Sequence, residues 1–198
     1  MRSIAFFLIA AASVVAHAEP APWSVGIEPR VGAMIPTSKL GANVTGGIEF
    51  DVATPVADRR LTIGLDASFA RPSYSSSAMS MQLPSTIDYS VKQLEVLVGL
   101  TANYRFFDAS HQLVPRIGAG PVVHMLRTSE DTMPAYAGSN ESQQTKLGFE
   151  GTVGVDYALG PGFLAGDLRF IYSSLDTPLT GSSNAGSLSI AVGYRFVF

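Results

Sequence analysis

The chain of 198 residues contains no cysteine, three lysines, three histidines and one tryptophan. Without cysteine there is no disulfide, no thiolate nucleophile and no cysteine-based zinc site. His111 has no metal-ligand partner at useful spacing, so neither a metal nor a cofactor is expected. Charge is also scarce: 15% of residues are charged and the net charge is −3, which gives no support to nucleic-acid binding. Past the N-terminus no uninterrupted apolar run is long enough for a transmembrane helix. Yet 46% of the residues are hydrophobic and the mean hydropathy is +0.24. Apolarity is therefore spread through the chain.

The N-terminus reads as a secretory signal peptide. Met1-Arg2 is a short basic start, residues 4–15 are apolar, and Ala16-His17-Ala18 is a small-x-small cleavage site. This divides the chain into a signal peptide over residues 1–18, cleaved near Ala18, and one domain over residues 19–198.

That domain alternates. Residues 23–35, 40–53, 60–70, 89–106, 113–126, 147–159, 164–172 and 187–198 each carry apolar side chains at every second position. The period of two is that of a β-strand with two unlike faces. The last segment sets Leu188, Ile190, Val192, Tyr194, Phe196 and Phe198 against Ser187, Ser189, Ala191, Gly193 and Arg195. Short turns follow the second, fourth and sixth segments. Long polar loops follow the third, fifth and seventh, over residues 71–88, 127–145 and 173–186. Eight strands of about ten residues with alternating short and long connections are the pattern of an all-β, eight-stranded, antiparallel, up-and-down transmembrane β-barrel. Pro29, Pro115 and Pro121 each remove a ladder hydrogen bond, and a bulge or ladder break is expected near Pro121.

Alternation alone fits a soluble barrel as well as a membrane one. Three features favour the membrane arrangement, with the polar face inward. The polar face is rich in glycine, as a narrow interior requires. Its cations are almost all arginines, which suit buried bidentate pairing with carboxylates. The aromatics Trp23, Phe50, Phe69, Tyr104, Phe106, Tyr157, Tyr172, Tyr194, Phe196 and Phe198 gather toward strand ends on the apolar face, as interfacial girdles do.

The signal peptide, the eight alternating segments and the terminal Tyr194-Arg195-Phe196-Val197-Phe198 together resemble the small outer-membrane β-barrel proteins of Gram-negative bacteria, the OmpA/OmpX-like group. The resemblance covers the whole mature chain. It implies an outer-membrane location, with lipid and lipopolysaccharide as surroundings. It also implies recognition of a C-terminal signal, Tyr194, Phe196 and Phe198, by the barrel-assembly machinery.

Three groups of residues could carry function. The first is a lumen network of Glu28, Arg30, Glu49, Asp51, Asp66, Glu95, Arg105, Arg116, Glu150, Asp156, Asp167, Arg169 and Arg195. An eight-stranded barrel is filled by its own side chains, so this network is read as structural. Arg195 is expected beside Glu28 of the first strand. A narrow pore or small-solute channel is the alternative reading of the same residues. The second group, Lys39, Arg71, Lys92, Arg127 and Lys146, lies at the loop-side mouth, where cations attract lipopolysaccharide phosphates. The third is His124, lumen-facing near the outer end. Its face neighbours Val122 and Leu126 carry no hydroxyl, which leaves a lipid-modifying enzyme the weakest reading. The long loops could hold an extracellular ligand, but their composition names none. The expected function is a non-enzymatic outer-membrane barrel with a structural or surface-interaction role.

Overall fold

A computed structural model describes residues 25–79, 86–133, 139–177 and 182–198. The signal peptide, its cleavage site and Trp23 lie outside these residues. The described chain forms β1 (Val25–Pro36), β2 (Asn43–Ala53), β3 (Leu61–Ala70), β4 (Ser73–Met79), β5 (Thr86–Arg105), β6 (Leu113–Met133), β7 (Ser139–Leu159), β8 (Gly162–Tyr172), β9 (Ser174–Thr177), β10 (Ser182–Asn184) and β11 (Ser187–Val197). Eight of these close a barrel in the order β3-β2-β1-β11-β8-β7-β6-β5, with β5 returning to β3. Every neighbour is antiparallel. The seam between first and last strands runs from Gly26↔Val197 to Pro36↔Ser187, and Phe198 exchanges backbone hydrogen bonds with Val25.

Pleat and closure sort the side chains. Val31, Val44, Leu65, Leu147, Val153 and Ile190 point outward and are more than half exposed, while Glu28, Asp66, Arg105 and Arg195 point inward and are fully buried. An apolar exterior of this extent is a lipid-facing surface. Aromatic contacts mark its two borders. At the short-turn end Tyr104 meets Phe106 edge-on at 5.5 Å and Tyr194 meets Phe196 at 4.8 Å. At the other end Phe149 lies opposite Tyr172 on the neighbouring strand. From Phe149 to Tyr157 β7 runs for nine residues, about the length with which a tilted strand crosses a bilayer.

The long loops expected over residues 71–88 and 127–145 are instead largely strand. β5, β6 and β7 run for 20, 21 and 21 residues, and β4 pairs with β5 from Ser73↔Lys92 to Met79↔Thr86. A four-stranded sheet thus rises above the membrane from one side of the barrel. Its period is hidden in sequence because water lies on both faces, so polar residues fill both and the apolar alternation stops while the pleat continues. The third expected loop, residues 173–186, contains a small hairpin of β9 and β10.

The prolines interrupt the ladder without shifting it. Between β5 and β6 the pairs Gly99↔Val122 and Ala102↔Ala119 keep one register, and no pairing is formed at Leu100 and Thr101 between them. The β7 side of Pro121 pairs continuously. Pro29 does the same between β1 and β11, between Ile27↔Phe196 and Arg30↔Gly193. The expected break near Pro121 is present, but as a gap and not a bulge. At Pro115 the missing donor is replaced: Phe106 donates its amide to the Pro115 carbonyl at 3.0 Å, and Arg60 donates to the Phe106 carbonyl at 3.4 Å.

The β5–β6 turn contains a local acid-sensitive knot. Ser110 donates its hydroxyl (2.5 Å) and its amide (3.0 Å) to the Asp108 carboxylate, and the His111 ring lies 2.9 Å from it. These bonds, the Ser110 hydroxyl first, hold the Asp108 carboxyl down at about 2. A depressed carboxyl stabilises the folded turn at pH values above the unfolded value near 3.8, and the contribution is lost as pH falls toward 2. Asp108→Asn is therefore expected to flatten the acid limb of urea midpoint against pH between pH 4 and 2, scored on the detergent-folded protein.

Candidate functional site

Inside the barrel, alternate residues of all eight strands converge. All thirteen charged residues expected in the lumen are buried there. They sit in layers. In the layer nearest the short turns, Asp156 of β7 is the hub. Arg195 Nη1 lies 2.7 Å from it, Arg116 Nε 3.2 Å and Arg105 Nε 3.3 Å. Each arginine reaches a second carboxylate: Arg105 Nη2 to Asp51 at 2.8 Å, Arg116 Nη2 to Asp167 at 2.6 Å and Arg195 Nη2 to Glu28 at 2.5 Å. Glu28 also stands 3.3 Å from Arg116. The planar guanidinium permits this, because its donors point in several fixed directions at once.

The next layer is built on Asp66 of β3. Arg169 of β8 engages it with both terminal nitrogens, at 2.5 and 3.0 Å, and Arg30 of β1 pairs with it as well. Arg30 Nη1 reaches Glu49 at 2.9 Å, and Arg169 Nη1 stands 3.5 Å from Glu150. Asn103 donates to Glu49 at 3.1 Å. A small polar cavity of about 20 Å³ lies beside Arg30, Thr45, Ser68, Asp167 and Arg169, room for about one water molecule. Eight carboxyl side chains share this lumen with five arginines, an excess of three acidic groups.

Apolar residues pack inside the barrel at two levels, a pairing that sequence reasoning did not single out. Phe163 is 1% exposed and packs on Ala109 at the short-turn end, with Ala53, Ala158 and Val197 around them. Leu97, Val122 and Ile171 form a second cluster toward the outer end. The available signal was an apolar residue standing in the polar register of its strand.

His124 is fully buried, with its Nε2 3.4 Å from Glu95. Its carboxylate neighbour is thus Glu95 of β5, while Glu150 faces Arg169. Among the described residues neither ring nitrogen of His124 has a hydrogen-bond partner. Among the described residues no group of three His, Asp or Glu is placed to hold a metal ion.

The five outer cations do not form one cluster. Arg71, Lys92 and Arg127 line a single cleft with Pro72, Ser73, Leu94, Ser129 and Glu141. Lys39 is exposed in the β1–β2 connection. Lys146 pairs across the ladder with His124 and so belongs to the lumen-side face, opposite to that of Arg127. At the other end Tyr194 donates its hydroxyl to the Leu159 carbonyl at 2.7 Å, and Phe198 is 67% exposed.

Comparison with known proteins places this architecture. No curated protein matches the chain in sequence. Among solved structures, that of Neisserial surface protein A (NspA) is 20% identical, covers 90% of this chain and 99% of its own, and superposes with a TM-score of 0.55. The N-terminal β-barrel domain of Pseudomonas aeruginosa OprF is 12% identical over 89% of this chain and 100% of its own, with a TM-score of 0.51. At these identities the likeness is one of fold. The family described as the outer membrane protein beta-barrel domain matches residues 3–196, and the chain belongs to that family.

Proposed function

We propose that the protein is a sealed, non-enzymatic outer-membrane barrel with a structural or surface-interaction role. The observation that carries this is the filled lumen: two arginine–carboxylate layers held between the Phe163 cluster and the Leu97, Val122 and Ile171 cluster. A side-chain-filled interior is what an eight-stranded barrel is wide enough for. Export would follow signal-peptide cleavage near Ala18. The short turns would face the periplasm, and the terminal Tyr194, Phe196 and Phe198 would be presented to the assembly machinery. The sheet formed by β4 to β7 would then stand outside the cell, where an extracellular ligand would meet it.

Planar-bilayer recording of the purified, heat-modifiable protein tests the sealed reading. The expected result is no conductance steps. Steps would favour the narrow-pore alternative, and the excess of carboxylates would make such a pore prefer cations. The lipid-modifying alternative needs a hydroxyl delivered to a base that substrate can reach. His124 offers the opposite arrangement, enclosed and without a hydrogen-bonded hydroxyl.

A further inference from the structure

The cleft at the junction of β3 and β4 gathers three of the five outer cations among the described residues. Lys92 and Leu94 alternate with the buried Val91, Gln93 and Glu95, and Arg127 alternates with the buried Leu126 and Thr128. Both cations therefore project from the outer surface of the wall. Arg71 follows buried Ala70 and projects the same way. The register brings the three together: Lys92 lies opposite Ser73 on one side and Ser129 on the other, and Leu94 lies opposite Arg127. β3 and β4 pair with β5 in one register across Pro72, whose carbonyl accepts the Gln93 amide at 2.9 Å. Beside this junction lies a cleft of about 510 Å³.

Two properties say what fits it. The lining carries three cations against one acid, Glu141. Arg127 pairs with Glu141, and Lys92 stands 3.4 Å from Asp131, but all four side chains are more than half exposed. Such pairs are weakly held and exchange for a better anion. Immediately below, on the same outer face, lie the exposed Phe69 and Leu147 of the lipid-facing band. A ligand seated here has a multiply charged anionic head above and acyl chains alongside the barrel. Arginine forks favour phosphate oxygens.

We infer that this cleft is a binding site for the phosphorylated sugar headgroup of an outer-leaflet glycolipid, held by Arg71, Lys92 and Arg127 and not by the rim cations Lys39 and Lys146. The inference rests on the outward orientation proposed above. The chain has no cysteine, so Ser77→Cys on exposed β4 supplies a single thiol for an impermeant maleimide on intact cells. Labelling upholds the orientation, and its failure would overturn the orientation and the site together.

The site itself is tested on the full folded protein in detergent, by the midpoint of heat-modifiable gel migration with added lipopolysaccharide, its enzymatically dephosphorylated form, or inorganic phosphate. Lipopolysaccharide is expected to raise the midpoint of the native protein, with little effect from the other two. The shift should be lost in Arg71→Gln/Lys92→Gln/Arg127→Gln and kept in Lys39→Gln/Lys146→Gln. An equal shift with the dephosphorylated form, or with inorganic phosphate alone, would overturn the inference. So would a triple variant that keeps the full shift. Should the triple variant fold poorly, Arg71→Gln alone is read the same way, because Arg71 pairs with no carboxylate among the described residues and its loss unbalances no ion pair.

Discussion

Replacing Arg195 with leucine is expected to destabilise the barrel by about 3–5 kcal/mol, the usual cost of leaving buried charges unpaired. Arg195 is fully buried and serves Asp156 at 2.7 Å and Glu28 at 2.5 Å, carboxylates that are themselves enclosed. The leucine variant would leave Asp156 with Arg116 and Arg105 and Glu28 with Arg116 alone, so one buried negative charge goes uncompensated in a medium that solvates it poorly. Arg195→Lys is expected to recover only part of the loss, since a single ammonium cannot match a planar fork reaching two strands at once. The paired variant Arg195→Leu/Glu28→Leu should be less damaging than the sum of its single changes, because the two residues share one interaction. Urea midpoints of the detergent-folded proteins measure all four. A leucine variant within about 1 kcal/mol of the parent, the scale of an exposed ion pair, would show that the lumen is far wetter than its burial implies.

A second large effect is expected at a position without a side chain. A Cβ placed on Gly120 would run into the Leu100 carbonyl oxygen, which is backbone and cannot rotate aside. This is the stretch where the β5–β6 ladder is interrupted beside Pro121 and the two backbones press together. Gly120→Ala is expected to cost about 3 kcal/mol, at the upper end of overpacking effects. The control is Gly151 on the neighbouring strand, where an added Cβ would meet nothing within 4 Å. Gly151→Ala should be neutral or stabilising by roughly 0.5–1 kcal/mol, through the lower entropy of the unfolded chain. Equal midpoints for the two alanine variants would refute the close approach at Gly120.

The eight strands and the inward or outward sense of each residue were legible in the chain because lipid on one side and a packed lumen on the other impose a strict period of two. Glu28, Asp156 and Arg195 could be assigned to the interior from that period alone. What the period does not carry is height and angle around the barrel. That Asp156 collects three arginines, or that Glu95 stands beside His124, depends on the stagger of neighbouring strands, which no local pattern encodes. The sheet above the membrane was hidden for the reason that exposed the barrel: with water on both faces, Ser73 to Met79 has no apolar side to display. Phe163 and Ile171 were passed over because one apolar residue in a polar register looks like noise until its partners across the lumen are known. The rim cations were found as a set, but only register separates Arg127 from Lys146, which project from opposite faces of one ribbon.

The two ladder gaps have a mechanical consequence. One lies between β11 and β1 beside Pro29, the other between β5 and β6 beside Pro121. Going around the barrel from the first gap, four strands pass before the second, and four more return to the start. The gaps are diametrically opposed. The wall is thus two four-stranded staves joined on each side by a ladder that lacks two residue pairs, and its cross-section is expected to flatten most easily about those joints. The guanidinium bridges from Arg195 to Glu28 and from Arg105 to Asp156 cross the joints, acting as struts that keep the cylinder round.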